Sequence, residues 1–185
     1  MAPAPERINL NPTSYGHANL NFLLENDLIP QDARENFKLT VESLLMRIEP
    51  MFKGIKNIRI HGDCHFGNVL WTPDGATFLD FDDMANGPAV QDIWMLVPGY
   101  DEHARLQREV LIEAYESFRE FDRQEMRLIE PLRALRYIHY ASWIARRWED
   151  PIFKRTFEHF GTVQYWQKET LDLREQIGRI DMLTY

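Results

Sequence analysis

The sequence predicts a mainly α fold with a small β-hairpin insertion, and three observations point to it. Apolar side chains recur at helical spacing before residue 52 and again after residue 88. Short β-prone runs lie between residues 58 and 79. Pro73, Asp74 and Gly75 separate two of those runs at the spacing of a tight hairpin.

Residues 1–18 contain Pro3, Pro5, Pro12 and Gly16 and are expected to form a loose lead-in. Residues 31–51 form a predicted helix. Phe37, Val41, Leu44, Leu45 and Ile48 share one stripe of it, Asp32 sits in its acidic first turn, and Pro30 and Pro50 mark its ends. Residues 58–60 are a short β-prone run that enters the polar loop His61-Gly62-Asp63-Cys64-His65-Phe66-Gly67-Asn68. Residues 69–71 and 77–79 are the paired strands of the hairpin. Beyond Pro88, helices are predicted at 89–97, 102–121, 125–148 and from 157 to about 177, the last broken near Gly178. Leu106, Val110, Ile112 and Tyr115 are the expected core face of the second of these, and Leu128, Leu132, Leu135 and Ile138 that of the third. A chain of 185 residues is expected to form one compact domain, here residues 19–185, with its polar loops at 58–92 and a helical subdomain at 100–180.

Composition removes several classes of function. With 44% hydrophobic residues the chain can bury a core and is not a disordered segment. A net charge of −8 repels phosphate backbones, which excludes nucleic acid as a general partner. The densest apolar stretch, residues 93–97, is far short of the ~20 residues a membrane span needs. The N-terminus has no apolar signal segment, and Cys64, the one cysteine, has no internal partner for a disulfide. A soluble cytoplasmic protein is the expectation.

The residues of the middle third carry the chemistry. His61, Asp63, His65 and Asn68 lie within eight positions, and Asp80, Asp82 and Asp83 follow across one hairpin. Carboxylates brought together need a cation between them or raised pKa values. Asp and Asn oxygens are the hard donors that suit magnesium or manganese. Phosphoryl transfer calls for such a set, with one carboxylate taking the hydroxyl proton and an amide oxygen plus a second carboxylate holding the metal. Zinc on His61-x-Asp63-x-His65 is an alternative, since alternate residues of an extended segment face one way. It lacks obvious further ligands, because His103, His139 and His159 fall on predicted helices. Asp80–Asp83 as a solvated turn, Asp92 as a surface charge, and Trp94, Trp143, Trp148 and Trp166 as packing groups are the plainer readings of those residues.

His61-Gly62-Asp63-x-His65-x-Gly67-Asn68 resembles the H-G-D-x-H-x-x-N catalytic loop of the aminoglycoside phosphotransferases and choline kinases. Phe78-Leu79-Asp80-Phe81-Asp82-Asp83 resembles their metal-binding aspartate segment. The string from Arg59 through Asp83, continued by Asn86-Gly87-Pro88-Ala89-Val90-Gln91-Asp92-Ile93-Trp94-Met95-Leu96, is similar to the bacterial stress response kinase A group of Ser/Thr kinases. The resemblance is strongest over about residues 58–100. It implies a protein-kinase-like C-terminal lobe (α+β), with ATP and Mg2+ as cofactors and a hydroxyl of a protein Ser/Thr or a small alcohol as acceptor. It implies Asp63 as catalytic base, Asn68 and Asp80 as magnesium ligands, and Asp92 as a residue that hydrogen-bonds the catalytic-loop backbone. His61 is implied as a structural member of the loop, His65 as a loop or substrate-side residue, and Asp82 and Asp83 as support for the metal or substrate.

The sequence departs from the family's pattern in one respect. Its nine glycines include no two separated by a single residue, so no G-x-G-x-x-G phosphate-covering loop exists in it. Only about 57 residues precede the catalytic strand. The expectation is a chain without the N-terminal lobe, a partial or shortened kinase whose exposed surface is covered by that lobe or by a partner chain. The alternative is a non-catalytic, kinase-like interaction module.

Overall fold

The computed structural model describes residues 2–183. In chain order it contains α1 (Ala18–Glu25), α2 (Gln31–Ile48), β1 (Ile58–Ile60), β2 (Val69–Thr72), β3 (Gly75–Phe78) and β4 (Ala85–Gly87). Helices α3 (Val90–Leu96), α4 (Glu102–Glu116), α5 (Ile129–Ala145), α6 (Pro151–Thr156) and α7 (Val163–Leu183) follow. The fold is mostly helical with two small antiparallel strand pairs. No described helix is long and apolar enough to cross a membrane. The chain forms two compact units: one joins the residues up to Leu10 to Gly54–Ile129, and the other joins Asn11–Lys53 to the residues from Glu130 onward.

The first unit holds all four strands. The expected hairpin forms as β2–β3, with Val69 opposite Phe78 and Thr72 opposite Gly75. A second pair, β1–β4, sets Ile58 opposite Gly87 and Ile60 opposite Ala85. The sequence Ala-Asn-Gly carries no β-propensity of its own, so tertiary bonds make this strand. The buried Asn86 carboxamide accepts from the Ala4 N–H at 2.7 Å and donates to the carbonyls of Ala4 at 2.7 Å and Arg7 at 3.1 Å. Backbone bonds from Leu10 to Asn86 and from Asn86 to Ile8 extend the pairing. The opening residues are therefore tied down rather than loose: Ala4 and Leu10 are buried here, and Pro12 and Gly16 are buried in the other unit.

Helix α4 corrects the expected core face. Leu106 and Val110 are 51% and 64% exposed. The buried stripe is instead Ala104, Arg108 and Ile112, at i, i+4 and i+8. Arg108 is buried because its guanidinium donates to the carbonyls of Val97 (2.9 Å) and Gly99 (2.8 Å).

The second unit is helical. Helix α2 packs along α7, with the Phe37 ring edge-on to Trp166 at 4.9 Å. A π-helical turn at Pro12–His17 brings Gly16 against Leu45 and Leu135, where a Cβ would stand 2.3 Å from a Leu45 methyl. Several helix boundaries differ from expectation: α4 ends at Glu116 rather than 121, and residues 157–162 form a turn, so that α7 begins only at Val163. Pro131 fits only a first turn, so residues 123–128 form a 3-10 turn and α5 begins at Ile129. Asp150 caps a separate α6 by accepting from the Ile152 N–H at 2.8 Å, so the chain is already helical before 157. Helix α7 runs through Gly178, because the buried stripe Trp166, Thr170, Leu173, Gln176 and Ile180 continues past it. That burial outweighs the ~1 kcal/mol cost of a helical glycine.

Glu169 on α7 makes the stability of this unit pH-dependent. Burial, with Asp172 adding repulsion, pushes its carboxyl up to about 7, against the opposing effects of Lys168 and the Tyr165 hydroxyl. A raised pKa means the folded state holds the proton more tightly. The stabilisation is complete below about pH 4.5 and is lost as pH rises through about 7. Glu169→Gln is expected to raise Tm at pH 8 by about 2–4 °C for each kcal/mol recovered, and to flatten the fall in Tm between pH 5 and pH 8. Thermal melts across that range check it, and an unchanged slope would show that Glu169 titrates as a solvated group.

Candidate active site

Strand β1 delivers the chain into the polar loop, and helix α3 holds the start of that loop. The Asp92 carboxylate accepts two backbone N–H bonds, from His61 at 2.8 Å and Gly62 at 3.0 Å. The neighbouring Gln91 donates its Nε2 to the Gly62 carbonyl at 3.1 Å, and its Oε1 accepts from Trp94 Nε1 at 2.9 Å. The Gly62 residue is thus gripped at both its N–H and its C=O. Its φ of +87° suits glycine, and a Cβ there would meet the Asp83 carbonyl oxygen at 2.3 Å. That close approach sets the loop directly beside the acidic segment.

Asp63 comes next and is partly buried. Its backbone carbonyl accepts from the His65 N–H at 2.9 Å and from Asn68 Nδ2 at 3.0 Å, which turns the loop back on itself. With its nitrogen so engaged, the Asn68 amide oxygen is the atom left for a cation. His65 Nδ1 accepts from the Gly67 N–H at 3.0 Å, which places the ring proton on Nε2, 3.5 Å from Asp63 Oδ2.

The metal-binding candidate Asp80 is joined to the loop through Leu79. The Leu79 N–H donates to the Asn68 carbonyl at 2.9 Å, and its carbonyl accepts from His61 Nε2 at 2.8 Å. The His61 ring also lies 4.6 Å from that of Phe81. Asp80 is exposed, with φ +58°, a left-handed conformation that Asp tolerates better than most residues. Asp82 and Asp83 are exposed on the turn that follows, and the Asp82 carbonyl accepts from Arg7 Nη1 at 3.0 Å. The structure therefore joins His61, Asp63, His65, Asn68 and Asp92 in one bonded set, with Asp80 following the bonded Leu79 in the chain, while Asp82 and Asp83 lie at its edge.

The donor chemistry fits magnesium. Asn68, half-buried, and Asp80, exposed, carry hard oxygens of the kind that would hold magnesium, with water or phosphate oxygens supplying its remaining ligands. Among the described residues no three His, Cys, Asp or Glu side chains cluster as a closed metal site, and the His61 and His65 rings are bonded to different partners. Zinc on these rings has no support.

Burial raises the pKa of Asp92, opposed by its two N–H donors. Burial, then the charges of Asp92 and Asp63, pushes the Cys64 thiol up to about 12, which makes it a packing group rather than a nucleophile. A cavity of about 820 Å³ behind the loop is bordered by Ile60, His61, Cys64, Phe81, Asp92 and Tyr115. In front, hairpin residues Leu70 and Trp71 are 52% and 69% exposed.

Sequence reasoning missed Gln91, Glu125 and Asn86. Gln91 had a signal in its position next to Asp92. Glu125 had none, because it reads as the polar first turn of a helix.

A base-capable Asp, an amide oxygen and a second carboxylate on hydrogen-bonded loops are the kinds of group that phosphoryl transfer calls for, and this chain belongs to the phosphotransferase enzyme family, whose pattern matches residues 9–129. It is 45% identical over 150 residues to stress response kinase A of Escherichia coli K12 and of Salmonella typhi. It has the same identity to the serine/threonine protein kinase RdoA of Salmonella typhimurium LT2. Each match covers 80% of this chain and 45% of the relative, so the chain spans about half the length of the curated relatives it matches.

Proposed function

We propose that this chain carries the catalytic and metal-binding part of a Mg-ATP-dependent kinase that phosphorylates a hydroxyl, on a protein Ser/Thr or a small alcohol. The observation that carries the reading is the double bonding of Leu79, which ties the Asp80 segment to both His61 and Asn68 of the Asp63 loop. Asp63 takes the proton of the attacking hydroxyl, and His65 beside it orients the carboxylate. Asn68 and Asp80 hold magnesium. When bound there, the metal would supply charge neutralisation for the nucleotide phosphates. Asp82 and Asp83 support the metal or the substrate from the adjoining turn. In this reading the loops at 58–92 do the chemistry.

The chain has no closely spaced glycine pair, so the cover over the nucleotide phosphates is assigned to a further lobe or a partner chain. The exposed Leu70 and Trp71 offer apolar surface to a nucleotide base or to that cover.

Isothermal titration of Mg-ATP into the protein tests the reading, with Asp80→Asn as the comparison. Asn keeps the left-handed backbone accessible but removes the charge. Binding is expected to weaken about tenfold or more in the variant, roughly 1.4 kcal/mol. Equal binding in both would remove Asp80 from the metal site. No binding in either would favour the interaction-module reading, which the exposed hairpin also fits.

A further inference from the structure

Behind the Asp63 loop lies a second row of polar contacts that the reading above does not use. Glu125, buried in the 3-10 turn Arg123–Leu128, points its carboxylate at the start of α3. Its Oε2 accepts from the Val90 N–H at 3.0 Å. Helix α3 has no cap from its own sequence neighbours, because Ala89 occupies the position before it. A side chain 35 residues away supplies the missing acceptor. One and two residues into the helix stand Gln91 and Asp92, which hold the Gly62 C=O and N–H. The Gly62 C=O belongs to the peptide bond that joins Gly62 to Asp63, so its direction sets the plane from which the Asp63 side chain departs.

We propose that Glu125 is a positioning residue for Asp63. By capping α3 from outside, it fixes the axial position of the helix whose Gln91 and Asp92 grip the Gly62 peptide groups. The sequence of contacts is Glu125 to Val90, then Gln91 and Asp92 to Gly62, then Asp63. All of them lie within one compact unit. The geometry is over-determined where the helix meets the loop. The Val90 N–H meets the Glu125 carboxylate, two N–H groups meet one carboxylate at Asp92, and Gln91 is itself locked by the Trp94 indole. A shift at the first step is therefore transmitted rather than absorbed by a rotamer change. Only the kinetic consequence rests on the kinase reading.

The test is Glu125→Asp, which keeps the charge and the acceptor chemistry but withdraws the carboxylate by one methylene. Backbone amide exchange is measured at Val90, His61 and Gly62 in wild type and variant, together with kcat and KM for Mg-ATP. The expected result is exchange about tenfold faster at each of these amides. The expected kinetic result is a fall in kcat of about tenfold with KM for Mg-ATP unchanged, because the nucleotide ligands are not displaced. Faster exchange at Val90 with His61 and Gly62 unchanged would overturn the proposal and leave Glu125 as a local cap. Glu125→Gln, of the same length and still an acceptor, is expected to keep His61 and Gly62 within about threefold of wild type. Tenfold faster exchange there would also overturn it. Altered exchange with no phosphotransfer in the wild type would leave the positioning role standing and remove the kinase reading instead.

Discussion

Asp63→Asn is expected to lower kcat for phosphotransfer by about 10²–10⁴-fold, the range over which a positioned general base contributes. The substitution is nearly isosteric and leaves the loop's backbone bonds in place. The two bonds that close the loop go to the Asp63 main-chain carbonyl, from the His65 N–H and Asn68 Nδ2, not to its side chain. The variant is therefore expected to fold and to bind Mg-ATP as the wild type does, since Asn68 and Asp80 are untouched. The loss belongs to the chemical step alone: an amide cannot accept the hydroxyl proton, and it also gives up the charge that faces His65 Nε2. Phosphate transfer to acceptor in the intact enzyme, beside a thermal melt and a nucleotide titration of the same preparation, separates these effects. Turnover near the wild-type rate would exclude Asp63 as the base. A matching loss of nucleotide binding would make it part of the metal site instead.

The residues that carry this prediction were legible in the sequence because the chemistry concentrates them. His61, Asp63, His65 and Asn68 share one loop, and Asp80 is only twelve positions further on, across a hairpin whose Pro-Asp-Gly turn is a local signal. Helix α2 was legible for the same reason, since Phe37, Val41, Leu44, Leu45 and Ile48 repeat at helical spacing and all are buried. What escaped is set by partners far away in sequence. Strand β4 exists because Asn86 meets Ala4, 82 residues earlier. Arg108 displaces Leu106 and Val110 from the core face of α4 because two carbonyls await it near Gly99. Glu125 takes the place of a local cap on α3 only once the chain has folded. Periodicity reports how a segment could bury itself. It does not report which buried donors and acceptors the rest of the chain supplies.

Asp92 gives the second large effect, and here the loss is one of structure as well as rate. Its carboxylate serves two N–H groups on two buried residues, His61 and Gly62. Asp92→Ala leaves both donors without an acceptor, at about 1–3 kcal/mol each, so a loss of roughly 2–5 kcal/mol in unfolding free energy is expected. Asp92→Asn is the more telling variant. An amide has one accepting oxygen, so its NH2 faces the second N–H donor and the pair repel. Asn is therefore expected to rescue little, staying within about 1 kcal/mol of Ala despite matching Asp in size. Glutamate is too long for a site held on the other side by Gln91, which bonds the Gly62 carbonyl. Denaturant unfolding of the three variants, with phosphotransfer measured under native conditions, tests this. If Asp92→Asn kept wild-type stability and rate, one N–H bond would suffice and the paired-acceptor role of Asp92 would be wrong. If its stability held but its rate fell, the second bond would serve to aim the Gly62–Asp63 peptide rather than to keep the loop folded.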